Sequence, residues 1–380
     1  MMELPLEGLV VLEFSQYLSG PSAGLRLADL GARVIKIERP VTGDAGRKLA
    51  IKNLWVDDSS LLFHTVNRNK ESVTADLKDA GDLEQVKKLI TKADVLIHNF
   101  RPGVMEKTGL DYNVVKELNP RLIYAEISGY GKEGPWKDKP GQDLLLQAMT
   151  GIAYTTGDNH NDPVPFGIAI ADILAGAQLV QGILAALIRR QKKGLGALLE
   201  ISLMESLLDF QFELLTTYYA SKQPPRRSIS NNGHPLLSAP YGIYKTADGY
   251  IALAMMDIGA LAKAIQCPEL AAFSKGQAFI ERDTIKAILA KHLVAKPAAY
   301  WLSCLQQDDL WAMEVFDWEK MMNDKAYKSL HMEQVLEVAG KKIITTRCPI
   351  RINGERLYAD KPAPGLGEHT EQVMKEFMNE

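Results

Sequence analysis

Cysteine is scarce. Three residues in 380, Cys267, Cys304 and Cys348, are odd in number, widely separated and never in C-x-x-C spacing. That excludes a disulfide framework and a structural zinc site, and predicts three reduced thiols. A basic excess is also missing. Lys and Arg total 44 against 47 Asp and Glu, a formal net charge of −3, so a protein living on phosphate contacts to nucleic acid is ruled down. The start of the chain lacks a basic segment before an apolar one, and Glu3 and Glu7 interrupt it, so no secretory signal is read there. The most apolar stretch, Ile168 to Ile188, contains Asp172, Gln178 and Gln181 and reads as a buried helix rather than a membrane span. The expectation is a cytoplasmic protein with neither nucleic acid nor membrane as partner. HExxH, GxSxG and GxxxxGK[ST] are all absent, and no two of the seven histidines are spaced as metal ligands. Zinc, serine-hydrolase and P-loop chemistry therefore have no residue support, and no metal is expected.

What is present is enough apolar material, 46% of residues, for a large core. Short apolar runs alternate with helical spacing through the first half. The runs are Leu9–Phe14, Arg33–Ile37, Asp94–Ile97 and Leu122–Ile127. Such alternation predicts an α/β fold, a Rossmann-like parallel sheet with helices on both faces. A long helix follows over Ala171–Lys193, stopped by Gly194, then a strand at Ala197–Leu203 and a helix at Met204–Ala220. The Pro-, Ser- and Asn-rich Ser221–Pro235 reads as a linker. Beyond it, Tyr241–Tyr244, Asp248-Gly249 and Tyr250–Ala254 read as a hairpin opening a smaller α+β domain. The predicted organisation is a large domain from residues 1–200, a linker at 201–235, a small domain at 236–310, a linker at 311–345, and 346–380 returning to the large domain. No internal repeat or low-complexity tract is visible.

Parallel sheets place ligands at the carboxyl ends of their strands. The turn after the first strand, Ser15-Gln16-Tyr17-Leu18-Ser19-Gly20-Pro21, has one glycine and no GxGxxG, which disfavours a dinucleotide. Arg39, beside Glu38 at the end of the second strand, is where a phosphorylated ribose would be met, and coenzyme A carries one. Asn99-Phe100-Arg101-Pro102-Gly103 is a loop at another strand end. Lys107, Lys137 and Lys139 add positive charge for phosphates. Asp172 stands at the start of the long helix, where the helix dipole and unpaired N–H groups would keep it ionised and able to attack a thioester carbonyl. The alternative for Asp172 is an ordinary first-turn or capping aspartate, and Asp143, before another helical stretch, has the same ambiguity.

With these residues the chain resembles the family III CoA-transferases, the group that includes formyl-CoA:oxalate and carnitine CoA-transferases. The resemblance spans nearly the whole length. It is carried by Pro5-Leu6-Glu7-Gly8, Gly20-Pro21, Leu30–Glu38, Gly43-Asp44, Asn69–Ser72, Asn99–Gly103, Leu118–Ile123, Gly141–Asp143, Ala171-Asp172 and Leu366–Thr370. The resemblance implies that Asp172 attacks an acyl-CoA to give a mixed anhydride and then carries CoA as an aspartyl thioester. It implies Asp143 near the active site, and CoA contacts from Arg39, Ala75, Asp76, Leu77, Lys78, Asn99, Phe100, Arg101, Lys107 and Lys139. It also implies an interlocked homodimer. Coenzyme A would be substrate and product, with no other cofactor, and the acceptor a small carboxylic acid, dicarboxylates included. Two other functions stay open: a 2-methylacyl-CoA racemase or epimerase, and a non-catalytic acyl-CoA-binding protein. Related racemases place a histidine where Gln142 stands here, and a glutamine amide has no proton to exchange near neutral pH. Ser230–His234 falls where the formyl-CoA enzyme has a glycine lid, and reads equally as a linker turn.

Overall fold

The computed structural model describes residues 3–274 and 276–378. Its main sheet has six parallel strands: β1 Val10–Glu13, β2 Arg33–Glu38, β3 Lys70–Thr74, β4 Val95–His98, β5 Ile123–Ser128 and β6 Ala197–Ser202. Their order is β3-β2-β1-β4-β5-β6, with Leu12 of β1 paired to Ile35 of β2 and to Leu96 of β4. The chain builds outward from β1 in one direction, then returns to its other side at β4. That reversal opens a crevice above the carboxyl ends of β1 and β4, where open α/β sheets hold ligands. The α/β class and parallel sheet expected from the alternating runs are thus present. The sequence reading omitted one strand, Lys70–Thr74, whose Lys, Glu, Ser and Thr hide its β character.

The helices that matter for the crevice are α1 Ser19–Asp29, α2 Ala80–Lys92, α3 Val104–Thr108, α4 Asp143–Met149 and α5 Ile170–Lys193. Leu12, Ile35, Val73, Leu96 and Tyr124 from five strands pack with Val86, Leu89 and Ile90 of α2 and with Val373 and Phe377 of the carboxyl-terminal helix Thr370–Met378. Burying each large apolar side chain contributes about 1.5–3 kcal/mol. Helix α5 is the one described helix long and apolar enough to cross a membrane. Its buried stripe, Ala171, Ala175, Leu179, Ile183 and Leu187, repeats every fourth residue and faces inward. Gly176 lies where α5 meets α1: a Cβ there would stand 2.2 Å from Ser22 Oγ and 2.7 Å from the Ser19 carbonyl. Only glycine permits so close an approach of the two helix starts.

The chain divides into two compact units. The large one comprises residues up to Leu146, Ala169–Phe210 and Leu330 onward; the small one comprises Gln147–Ile168 and Gln211–Ser329. The stretch 201–235 carries two helices, Leu203–Phe210 and Phe212–Ser221, interrupted at Gln211. In the small unit β7 Gly242–Lys245 and β8 Tyr250–Leu253 form the expected hairpin, and β9 Ala312–Glu314 adds to β8. Tyr244, Ile251 and Leu253 pack there on Leu261, Leu289 and Trp301.

Candidate active site

Asp172 is the third residue of α5. The residue at the helix N-cap is Ala169, whose side chain offers nothing to the free amides. Asp143 supplies the missing acceptor from the start of α4: its Oδ1 accepts from the Ala171 amide at 2.7 Å. Capping is therefore the work of Asp143, and Asp172 is a first-turn aspartate rather than the cap. Asp143 can reach α5 because the loop before it is pinched shut. A Cβ on Gly141 would lie 2.6 Å from the Gly129 Cα, so the glycine of the Gly141-Gln142-Asp143 segment is a contact requirement.

Asp172 itself is half-buried, and Ser19, the first residue of α1, is among the groups that act on its carboxyl. Its pKa is pushed up to about 6, first by burial and then by the neighbouring Asp143 carboxylate, with Ser19 pulling the other way. The helix dipole expected to hold it in the ordinary carboxylate range is outweighed. The group is still largely ionised at neutral pH, and it is a more basic nucleophile than a solvated aspartate. It lies in the first turn of α5, where the helix dipole suits charge developing on an acyl oxygen.

Asn99 joins this centre. Its Oδ1 accepts from the Gln16 amide at 2.8 Å, and its Nδ2 donates to the Gln16 carbonyl at 2.7 Å and to Ser19 Oγ at 3.2 Å. Asn99 thus clamps the turn after β1 from the end of β4, across the point of reversal. The remaining predicted contacts lie along the same sheet edge. The Ala75 amide donates to the Glu38 carbonyl at 2.9 Å, which sets Ala75, Asp76, Leu77 and Lys78 beside Arg39. Ala75 is buried; Arg39 and Lys78 are exposed, with their charges in solvent. Phe100 and Arg101 line a small cleft of about 30 Å³ with His98, Tyr124, Glu126 and Lys132. Phe100 stacks on His98 at 6.0 Å. Lys107 on α3 and Lys139 in the loop before Gly141 are exposed. A larger cavity of about 500 Å³ in the small unit is lined by Tyr241, Ile243, Trp311 and Met313 and contains none of the predicted site residues.

The sequence model described as CoA-transferase family III matches residues 6–370. The chain belongs to this family. It is 34% identical over 385 residues to the acetyl-CoA:oxalate CoA-transferase of Acetobacter aceti, covering 98% of this chain and 96% of that one. It is 33% identical to the succinate–glutarate CoA-transferase of Agrobacterium fabrum, at 98% and 96% coverage. A CAIB/BAIF family protein from Brucella suis has a similar solved structure, with a TM-score of 0.86 at 32% identity, covering 99% of this chain and 100% of that one. The protein is an enzyme of the CoA-transferring class.

The family III fold also shows what the sequence reading missed. Glu13, Lys36, Glu38, Asp44, Arg47 and Lys70 are all buried. Lys36 Nζ meets Glu13 at 2.9 Å, Asp44 at 2.8 Å and the Ser15 carbonyl at 2.7 Å. Lys70 Nζ meets the other Glu13 oxygen at 2.7 Å and the Pro21 carbonyl at 2.9 Å. Asp44 accepts from the Tyr17 amide at 3.0 Å. The transferase's turn after β1 is therefore tied down from below by ions, through Ser15, Tyr17 and Pro21. Burial alone would lower Lys36, but Glu13, Asp44 and Glu38 hold its pKa above the ordinary lysine value. Burial would likewise raise Asp44, yet Lys36 and the Tyr17 and Gly46 amides keep it below the carboxylate range. Glu38 faces this network. Arg47 at 2.7 Å and Ser72 at 2.6 Å saturate one of its oxygens, and the Asp44 amide takes the other. It is accordingly turned away from any ribose, and Arg39 alone points outward. The signal was in the sequence: a lone Glu or Lys inside an otherwise apolar strand, as in LVVLEF and RVIKI.

Proposed function

We propose that this enzyme moves coenzyme A from an acyl-CoA donor to a free, small carboxylic acid through covalent catalysis by Asp172. The observation that carries this reading is the Asp172 carboxylate itself, half-buried in the first turn of α5, with the capping of that helix taken by Asp143. One Asp172 oxygen attacks the acyl carbon and displaces CoA thiolate, giving a mixed anhydride. The thiolate attacks the aspartyl carbon and releases the donor acid, leaving an aspartyl-CoA thioester. The acceptor carboxylate reverses both steps. Splitting the exchange in this way replaces one difficult transfer by easier acyl substitutions, and the sequence of steps calls on no metal or redox cofactor.

Arg39, Ala75 to Lys78, Asn99 to Arg101, Lys107 and Lys139 are assigned to CoA. Arg39, Lys78, Lys107 and Lys139 supply exposed positive charge for its phosphates, and the Phe100 ring offers a stacking face. The acceptor class rests on relatives named for oxalate, succinate and glutarate. An interlocked homodimer fits the large apolar side chains left in solvent, among them Ile173 and Ile188 on α5 and Phe212 and Tyr219 beyond it. Three free thiols accord with a cytoplasmic setting. Gln142 in place of an acid–base histidine argues against racemisation.

Incubation with succinyl-CoA or acetyl-CoA followed by intact mass measurement tests the proposal. A hydroxylamine-sensitive gain of one CoA is expected in the wild type and none in Asp172→Ala, whose turnover should fall at least ~10⁴-fold while CoA binding persists. Full turnover by that variant would contradict the assignment. Exchange of an α-hydrogen with deuterated solvent would point to the racemase instead.

A further inference from the structure

We propose that Glu126 is a positioning residue for coenzyme A, a single buried carboxylate that holds both of the loops carrying Phe100 and Lys139. This rests on the proposed function and deepens it, since those two residues are assigned there to the nucleotide end of the substrate. The strand register builds the cluster. His98, the last residue of β4, pairs with Glu126 of β5, and Glu126 pairs with Glu200 of β6. Three neighbouring strands thus set three titratable side chains in one row near their carboxyl ends. Two carboxylates side by side repel. Lys132, in the loop after β5, answers both, its Nζ 2.9 Å from Glu126 Oε1 and 3.1 Å from Glu200 Oε1. The other Glu126 oxygen, Oε2, stands 3.5 Å from His98 Nε2. Burial would raise Glu126, but His98 and Lys132 hold its pKa below the usual carboxylate value.

Each partner leads to a loop. His98 is buried between two rings, with Tyr124 edge-on at 5.3 Å and Phe100 stacked at 6.0 Å and 24° between planes. Tyr124 is itself fixed, its Oη donating to the Leu110 carbonyl at 3.0 Å. Neither nitrogen of His98 has a hydrogen-bond partner among the described residues. The Glu126 carboxylate is therefore the charge that orients this ring, and the ring backs Phe100. On the other side, Lys132 anchors a loop closed on itself. Tyr130 Oη donates to the Pro140 carbonyl at 3.3 Å, the Tyr130 ring meets Trp136 edge-on at 6.2 Å, and the Lys139 amide donates to the Trp136 carbonyl at 2.9 Å. A loop so closed follows its anchor, and Lys139 with it. Holding Phe100 and Lys139 before the substrate arrives spares the entropy of ordering them on binding.

The test uses two donors, acetyl-CoA and acetyl-pantetheine, which carry the same acyl group with and without the nucleotide. Lys132→Met cuts one arm of the cluster, His98→Leu the other, and Glu126→Gln weakens both. With acetyl-CoA, kcat/KM should fall about 3- to 10-fold in each of the first two and by no less in the third. The loss should lie in KM, with kcat within about two-fold of wild type. With acetyl-pantetheine the losses should vanish, because the groups that Glu126 serves have nothing to hold. Losses of equal size on the two donors overturn the proposal, as a general structural role would produce them. So does a KM for acetyl-CoA within about two-fold of wild type in both Lys132→Met and His98→Leu. Should Glu126→Gln not fold, Lys132→Met, made at the exposed end of the cluster, carries the comparison. Calorimetry with CoA alone reads the same contacts without turnover, and its dissociation constant should rise by the same factor. A wild type that binds CoA and transfers none would sink the proposed reaction, while those dissociation constants would still decide the role of Glu126.

Discussion

Two sets of buried cations, one in each unit, are satisfied differently. In the large unit Lys36, Lys70 and Arg47 meet carboxylates: Glu13, Asp44 and Glu38. In the small unit Lys286 and Arg227 meet neutral oxygens. Lys286 Nζ donates to Ser228 Oγ at 3.0 Å and to the Asn231 and Tyr241 carbonyls at 2.9 and 2.8 Å. Arg227 donates to the Thr156 and Asn161 carbonyls at 2.8 and 2.6 Å. The consequence appears in their protonation. Lys36, ringed by acids, is held above its ordinary value, while Lys286 is lowered to about 8 by desolvation and then by Arg282, which the carboxylates of Asp283 and Asp158 only partly offset. Lys70 falls to about 8 as well: burial dominates, and the Glu13 carboxylate it shares with Lys36 compensates only in part. Ion pairs in the large unit lock the turn that carries Ser19. Carbonyl contacts in the small unit fasten the 226–235 segment, where Asn231 also donates to the Ile243 carbonyl at 2.7 Å and the Asn232 amide to Asp158 at 2.8 Å. That segment is a tied turn here, with none of the run of glycines a hinged lid would use.

If this division is right, the largest effect comes from Glu13→Gln. It removes the one carboxylate that Lys36 and Lys70 share and leaves buried charge uncompensated, at about 3–5 kcal/mol. Urea unfolding should show that loss, and turnover per folded molecule should fall too, because the turn beneath Ser19 loosens. Lys286→Met sharpens the contrast. Urea unfolding should show about 1–3 kcal/mol lost from oxygens left unpaired, with specific activity per folded molecule close to wild type. Equal loss of activity in both variants would erase the distinction between the units.

A smaller effect concerns pH. The folded pKa of Lys286, about 8, lies below the unfolded value of 10.5. Between those values the unfolded chain binds more protons, so stability rises with pH in that window, and the penalty is complete below it. Urea midpoints taken from pH 8 to 10 should climb in the wild type and climb less in Lys286→Met. The smallest effect is expected for Asp143→Asn. The amide oxygen can still accept from Ala171, but the charge that raises Asp172 is gone. The acid limb of the rate profile should then move below about 6 with stability nearly unchanged; an unmoved limb would show that burial alone sets it.

Much of this was legible before any coordinates. Short apolar runs separated by helical segments gave the parallel sheet, and an aspartate at the head of an apolar helix marked Asp172. Its raised pKa was not legible, because it depends on Asp143 arriving from another helix through a pinch of two glycines. Ser19 was equally silent: a serine in a turn looks like a cap, and its partner lies far along the chain. Lys70–Thr74 was missed because this edge strand carries a buried lysine and other polar side chains, which break the apolar pattern by which strands are recognised. The motif residues Lys36, Asp44 and Lys70 carried the resemblance, yet their meaning as a buried ionic scaffold emerged only from their contacts.

Ser19, Asn99 and Asp143 all precede Asp172 in the chain. During synthesis the ribosome therefore delivers the clamp on the turn after β1 and the cap of α5 before the aspartate itself emerges. A polypeptide stalled ahead of α5 would carry each side chain assigned to the nucleotide end of the thioester and nothing to be acylated. Reactivity is in this sense the last part of the pocket to be made, and an incomplete chain has no means of trapping an acyl group.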